Sequence, residues 1–277
     1  MCVQAEHKLA ERTVRVELLA NRAVLLPFQP KMDVLQAAFG PTFSFGLEWV
    51  EMAPAMIGRI EMAVQACVLG GRKVATSKAM FWCFIFKGHL WHPVALQLMG
   101  FVRLLRLLVV HGFQDFLQKQ VLLESPAWQF ANLRRLLCML RCEWHAPTVF
   151  RCADGRLVDV LHGDQAKLRH ELRDVWRGYI LGRPSKSVNL AGVEQGVDER
   201  LTRRLLVSGR LTPLQAGTLR ALLVGSVVTP SRLWRSHRLT EHEAQCWRCN
   251  LREPDSMGHR WRCGAYAPLR RSLGLGD

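Results

Sequence analysis

The segment CWRCNLREPDSMGHRWRC, residues 246–263, contains four residues that suit a metal ion. Cys246, Cys249, His259 and Cys263 have the spacing C-x2-C-x9-H-x3-C. Two cysteines separated by two residues can direct both sulfurs to one point, and His259 and Cys263 share a face on a helical turn. Four such ligands predict one structural, tetrahedral Zn²⁺ with no position left for water. The ion would fold this tail, whose short loops have too little apolar surface to order themselves.

The alternative is a cysteine-rich tail that carries a histidine by chance, since the chain has nine cysteines. A second set, Cys138, Cys142, His145 and Cys152, can also be written as a metal motif, C-x3-C-x2-H-x6-C. Cys138 and Cys142 follow the apolar rhythm of a helix, where a free cysteine usually serves as a small hydrophobic residue. We therefore expect the second set to be structural.

Positive charge is concentrated around the first cysteine cluster. The chain has a formal net charge of +15, and residues 200–277 carry +9 of it, with fourteen arginines, no lysine and five acids. Arginine pairs with phosphate through a planar fork and stacks on bases, so a nucleic acid is the expected partner. GC-rich coding, which also raises the arginine content, is the alternative explanation.

The expected contacts with nucleic acid lie within the cysteine cluster and just before it. Aromatic faces stack on unpaired bases and arginines neutralise phosphates, so we expect binding to RNA or single-stranded DNA. Trp247 is the better stacking candidate, because Trp261 can instead pack inside the knuckle. The predicted nucleic-acid-binding residues are Arg232, Arg235, Trp247, Arg248, Arg252, Arg260, Trp261 and Arg262.

Apolar residues recur at helical spacing over most of the chain, which predicts a mainly α fold. Residues 1–181 are expected to form a bundle-like helical region. Residues 182–197 contain glycine, proline and serine and indicate a linker. Residues 198–277 are expected to form a basic helical segment that ends in the zinc knuckle, with one helix beginning at Asp198.

Local signals predict where individual elements begin and end. Thr212 and Thr229 each precede a proline in the pattern of a helix start. We expect a loop over residues 27–46 and a helix over residues 128–144. The Asp154-Gly155 turn lies between two β-prone runs and predicts one small hairpin near residues 148–160.

No secretory signal is visible in the first twenty residues, which are polar at helical intervals. We therefore expect an intracellular protein, in the nucleus or cytoplasm. The apolar run over residues 94–110 contains Arg103 and Arg106 and is too short to span a membrane. It is expected to be a buried or partner-facing helix, with a helix on the membrane surface as the alternative.

Enzyme motifs are mostly absent from the sequence. It contains no P-loop, no dinucleotide-binding fingerprint, no HExxH and no GxSxG. The acids between Asp154 and Asp174 could serve a metal-dependent nuclease, but they alternate with basic residues, which is typical of a solvated face.

Residues 196–271 resemble the C-terminal region of LINE-type retrotransposon reverse transcriptases. The resemblance rests on GVDERLTRRLLVSGRLTPLQAGTLRALLVGSVVTPSRLW, residues 196–234, followed by C-W-R-C and H-R-W-R-C. In that family a helical linker leads to a CCHC knuckle, which implies the same four zinc ligands. The resemblance also implies partners among other retroelement-encoded domains. More loosely, the helical first half looks like the thumb and connector that follow a polymerase palm.

Two features depart from that family. The paired aspartates of a catalytic palm are absent, so polymerase activity is not expected. Three residues rather than four separate His259 from Cys263. We therefore expect a non-catalytic nucleic-acid-binding fragment of a reverse transcriptase. The alternatives are a protein-interaction module, with zinc as a clip and residues 94–110 as a docking face, or a decayed fragment without function.

Overall fold

The computed structural model describes residues 2–43, 47, 50–69, 77–183, 204, 211–225, 229–235, 237–249 and 251–272. Helices α1 to α9 are Cys2–Ala23, Phe28–Phe43, Pro54–Val68, Lys78–Met80, Gly88–Trp91, Pro93–Val110, Gln114–Leu122, Trp128–Met139 and Gln165–Leu181. Helices α10 to α13 are Pro213–Leu223, Pro230–Arg235, Met257–Arg262 and Ala267–Ser272. Strands β1 to β3 are Cys142–Ala146, Val149–Cys152 and Leu157–Asp159. Phe81–Ile85 extends α4 as a π-helix, and Gly264–Tyr266 is a 3-10 turn. The predicted mainly α fold class is confirmed.

Helix starts follow the capping signals of the sequence. The Thr212 hydroxyl accepts a hydrogen bond from the Gln215 N–H, and the Gln215 side chain accepts one from the Thr212 N–H. This capping box satisfies two backbone donors that a helix start leaves without partners. Pro54 and Pro93 open α3 and α6, where a missing N–H removes no helical hydrogen bond.

The predicted loop over residues 27–46 is wrong, because most of this stretch forms helix α2. Leu35, Phe39 and Phe43 recur every four residues on one face and are fully buried. Pro30 lies in the first turn, where helices tolerate proline. The proline and glycine content of the stretch therefore concealed a helical apolar pattern.

The predicted hairpin is confirmed as strands β2 and β3, which pair antiparallel around a turn with Gly155 at φ 81°. The helix predicted over residues 128–144 is wrong at its end, because β1 follows α8 and pairs with β2. Arg141, at φ 58°, turns the chain between them. The Trp144 ring then stacks on the Phe130 ring of α8, with the two ring centres 5.3 Å apart. This packing against α8 favours the strand.

Helix α6 contacts α2, α5, α8 and α9 and forms the centre of the helical region. Its Val94, Leu98, Phe101 and Leu105 side chains are buried. Among the described helices, α6 is the one whose length and composition would allow it to cross a membrane, so the expectation that this run is too short is wrong. Half of α6 is buried inside the protein. The core helix of a soluble protein has the same properties, so α6 is weak evidence for a membrane location.

A buried carboxylate connects several parts of this region. Glu61 on α3 is inaccessible to solvent and accepts hydrogen bonds from Lys78, at 2.5 Å, from His92, at 3.0 Å, and from Arg183. The Val94 N–H donates to Nδ1 of His92, so a neutral His92 carries its proton on Nε2, toward Glu61. Burial opposes ionisation of Glu61, but the three partners outweigh it and lower its pKa to about 2. Burial also lowers the pKa of His92. Because both pKa values are lowered, Glu61 is ionised and His92 is neutral in the folded protein at pH 7.

Helix α10 packs against the first helices. Val224, which follows α10, is fully buried in the main core, and its carbonyl accepts a hydrogen bond from the Ser77 N–H at 2.9 Å. The Arg220 guanidinium lies 3.6 Å from the Phe28 ring centre. The chain after the predicted linker thus contacts the N-terminal region. The linker itself, apart from residues 182 and 183, lies outside the described residues, as does the helix predicted from Asp198.

Candidate metal centre and its basic surface

Two short backbone segments before and after Cys249 pair antiparallel and form the first half of the cluster. The Cys246 N–H donates to the Glu253 carbonyl, and the Asp255 N–H donates to the Ala244 carbonyl, both at 2.8 Å. Cys249 lies in the turn between these segments. The pairing therefore places both cysteines of the C-x2-C pair on one side of a small knuckle.

Helix α12 supplies the second half. The Ser256 hydroxyl caps the helix by accepting from the His259 N–H at 3.0 Å, and the Cys263 N–H donates to the His259 carbonyl at 2.7 Å. One helical turn thus separates His259 from Cys263. The expected i, i+4 relationship is confirmed, and it fits a spacing of three intervening residues.

The four predicted ligands meet at one point. Their sulfur and nitrogen atoms all lie within 4.8 Å of one another, and Cys249 Sγ lies 3.4 Å from His259 Nε2. A tetrahedral zinc site has edges of about 3.6 Å between sulfur and nitrogen ligands. Cys246, His259 and Cys263 are buried, and Cys249 is half-buried. The group can therefore hold a metal ion, and its three sulfurs and one nitrogen suit zinc.

Glu253 orients the histidine from outside the ligand group. Its Oε2 lies 2.7 Å from His259 Nδ1, which leaves Nε2 facing the sulfurs. Burial opposes protonation of His259, but the contacts with Glu253 and Cys246 raise its pKa overall. A carboxylate in this position is the usual second partner of a metal-binding histidine, because it fixes the tautomer and ring orientation. The sequence interpretation missed Glu253, although an acid six residues before the histidine was visible.

Arg260 braces the knuckle through a buried acid. Its Nε and Nη2 donate to the two oxygens of Asp255, each at 2.7 Å, and Asp255 is 1% exposed. The Asp255 hydrogen bond raises the pKa of Arg260. The Asp255 carbonyl also accepts from the Ser231 N–H of α11. The sequence predicted a phosphate contact for Arg260, but the structure directs its fork to Asp255.

An exposed aromatic and basic surface lies beside the ligand group. The Trp247 side chain is 78% exposed. The Arg248 guanidinium lies 4.6 Å from the Trp247 ring centre and 4.9 Å from the Tyr266 ring centre. Arg252, at φ 51°, and Arg262 are exposed on the same knuckle. We call Trp247, Arg248, Arg252, Arg262 and Tyr266 the knuckle surface. Sequence reasoning missed Tyr266, three residues after the last ligand.

The remaining predicted contacts are only partly described. Arg235 ends α11 and is exposed. Arg232 lies in α11 and Trp261 in α12, but their side chains are outside the described part of the structure. The predicted roles of these two residues stay predictions.

The second cysteine set is spread over the small sheet and α8. Cys142 and Cys152 face each other across β1 and β2, with their sulfurs 3.6 Å apart. Cys138 is exposed, and the His145 ring lies within hydrogen-bonding distance of Arg151. Burial and the neighbouring Cys152 raise the pKa of Cys142, which favours the thiol over the metal-binding thiolate. Among the described residues, the Cys246 cluster is the group that brings metal ligands together.

Three of the acids between Asp154 and Asp174 serve local contacts. Asp154 pairs with Arg156, Asp159 accepts from the Leu161 N–H, and Asp164 caps α9. These carboxylates point to their own turns and do not gather around one point within the described chain.

Nothing matches this chain among protein-family models, curated proteins or solved structures. The likeness to LINE reverse transcriptases therefore rests on the sequence motifs alone. The function has to be inferred from the site.

Proposed function

We propose that this protein binds RNA or single-stranded DNA through the knuckle surface, with one structural Zn²⁺ holding the knuckle together. The observation that carries the proposal is the exposed Trp247 ring, with Arg248 beside it, directly next to four converging metal ligands. The protein would bind nucleic acid without catalysing a reaction on it, since the sequence lacks paired catalytic aspartates.

A tryptophan that is 78% exposed presents a flat apolar face to solvent. Such a face stacks on any unpaired base, and a stacked base contributes about 1–3 kcal/mol. Arg248 lies against two rings, which limits the positions of its guanidinium. A guanidinium held beside a stacking face can contact the phosphate next to the stacked base. The expected ligand is therefore single-stranded.

Zinc is the proposed metal because thiolates are soft ligands and four protein ligands close the coordination sphere. The metal would act structurally, by fixing the turn that presents Trp247. We further propose an origin as a retroelement reverse transcriptase fragment, partners among retroelement-encoded domains and an intracellular location.

Zinc content tests the metal. We expect one zinc per purified chain by atomic emission, and near zero for Cys263→Ser. The matched control is Cys138→Ser, which changes an exposed cysteine outside the cluster and should keep one zinc. Equal zinc content in both variants would refute the site.

Fluorescence anisotropy with labelled 20-nucleotide RNA and DNA tests the partner. Trp247→Ala should weaken binding about 10-fold, while Leu251→Ala, another exposed apolar residue of the knuckle, should not change it. Arg248→Ala and Arg252→Ala should each lower the slope of log affinity against log salt by about one. Binding that does not depend on salt, or equal affinity for duplex DNA, would contradict the proposal.

A second candidate function is docking to another protein. Large apolar side chains are exposed where α6 leads into α7, namely Leu107, Val110, Phe113 and Phe116. An exposed apolar patch of this kind is typical of interaction surfaces. If docking is the function, Val110→Asp should abolish it and Trp247→Ala should not.

A further inference from the structure

A cavity of about 470 Å³ lies between α6 and α9, with α5 at one end. Its volume falls in the range of small-molecule pockets. The cavity lies in the helical region, and none of its lining residues belongs to the knuckle surface. Ligand binding in this cavity is therefore independent of the function proposed above. Its walls are mainly aliphatic, with Leu96 and Met99 from α6 and Leu172 from α9.

Three arginines line the same cavity: Arg103 from α6, and Arg169 and Arg173 from α9. Arg103 and Arg169 are exposed, and in the described part of the chain neither guanidinium has a hydrogen-bond or ion-pair partner. By contrast Arg106, one turn further along α6, donates to the Val160 and His162 carbonyls. The cavity therefore presents two uncommitted guanidinium groups beside an apolar wall.

The other titratable groups at the cavity leave it positive. His170 lies between Arg173 and Asp174, within 2.7 Å and 3.3 Å respectively. Arg173 also lies 3.7 Å from Asp174, so this acid offsets one of the three arginines. His89 completes the polar lining. The remaining two positive charges favour an anionic ligand over a neutral one.

We propose that this cavity binds an amphipathic anion, a phosphate or carboxylate head group on an aliphatic chain. The head group would pair with Arg103 and Arg169, since guanidinium forks match both anions. The chain would lie along Leu96, Met99 and Leu172. The lining has no phenyl, phenol or indole ring, so it favours an aliphatic chain over a nucleobase.

Isothermal titration calorimetry of the full-length protein with octyl, decyl and dodecyl phosphate, below their micelle concentrations, tests the proposal. We expect affinity to rise with chain length, by up to about fourfold per added methylene. Inorganic phosphate and 1-decanol should each bind at least tenfold more weakly than decyl phosphate. Comparison with decanoate identifies the head group, and binding of either anion through the cavity supports the proposal.

Variants test whether decyl phosphate binds in this cavity or elsewhere on the protein. The double change Arg103→Gln and Arg169→Gln should weaken decyl phosphate binding at least tenfold. The control double change Arg15→Gln and Arg22→Gln removes the same charge from exposed positions on α1 and should have no effect. Met99→Trp should weaken binding by filling the space, with every charge in place. Equal affinities for the two double variants, or tighter binding of uridine monophosphate than of decyl phosphate, would overturn the proposal.

Discussion

Replacing Glu61 with glutamine should destabilise the fold strongly, because Glu61 is a buried charge with three partners. A pKa of about 2, against an ordinary 4.5, means that the folded state favours the ionised form. A shift of one pKa unit corresponds to about 1.4 kcal/mol. Folding therefore stabilises the ionised form of Glu61 over the protonated form by about 3 kcal/mol. Glu61→Gln removes that gain and leaves Lys78 and Arg183 without their counter-charge. The expected loss at pH 7 is about 3 kcal/mol.

The same charge predicts a pH dependence. The folded pKa of Glu61 is depressed, so its contribution is complete above about pH 4.5 and is lost as pH falls toward 2. The part of the difference between wild type and Glu61→Gln that comes from the Glu61 charge should therefore shrink over this interval. His92 is retained in both proteins. Its depressed pKa lowers the stability of both below about pH 6.5. The loss is larger in the variant, because Glu61 raises the pKa of His92 and its removal depresses that pKa further.

Urea unfolding followed by tryptophan fluorescence at pH 7, 5, 4 and 3 measures these effects. At pH 7 the variant should also melt about 6–12 °C lower. The control is Glu17→Gln, because Glu17 accepts two hydrogen bonds from Arg59 at the surface. An exposed pair contributes less than about 1 kcal/mol. A Glu61→Gln variant no less stable than Glu17→Gln would refute the role of the buried cluster.

Two further substitutions test side-chain hydrogen bonds that stabilise the knuckle and the helical region. Asp255→Asn removes the buried partner of the partly exposed Arg260 and should destabilise the knuckle by about 1–3 kcal/mol, measured as weaker zinc binding in competition with a chelator dye. No change in zinc affinity would show that Asp255 does not brace the ligands. Arg106→Gln removes the hydrogen bonds from α6 to the Val160 and His162 carbonyls and should cost about 1–3 kcal/mol in urea unfolding. Arg103→Gln, one turn away without such bonds, should cost less than 0.5 kcal/mol.

Features set within a few residues were predictable from the sequence. The Thr212 capping box and the turn that joins His259 to Cys263 depend on local backbone geometry. The convergence of Cys246 and Cys249 likewise depends on the backbone geometry of neighbouring residues. The fold class was predictable for a related reason, because helical periodicity is visible in single segments.

Features that depend on distant partners were not predictable. Strand β1 forms because β2 is available for pairing, and β2 lies outside residues 128–144. The Glu61 cluster joins residues separated by up to 122 positions. Arg248 and Arg260 are the same residue type in the same arginine-rich segment, and only the burial of Asp255 separates a solvent-facing cation from a structural one.

Metal binding and the Asp255–Arg260 pair should be thermodynamically coupled, because both act on helix α12. This helix has six residues, too few to be stable alone. A metal ion would fix one face through His259, and Asp255 fixes the other through the neighbouring Arg260. Each interaction pre-orders the turn that the other needs. By linkage, the free energy by which Asp255→Asn weakens metal binding must equal the amount by which bound metal increases the destabilisation that Asp255→Asn causes. A double-mutant cycle of Asp255 and Arg260, run with and without zinc, measures that coupling directly.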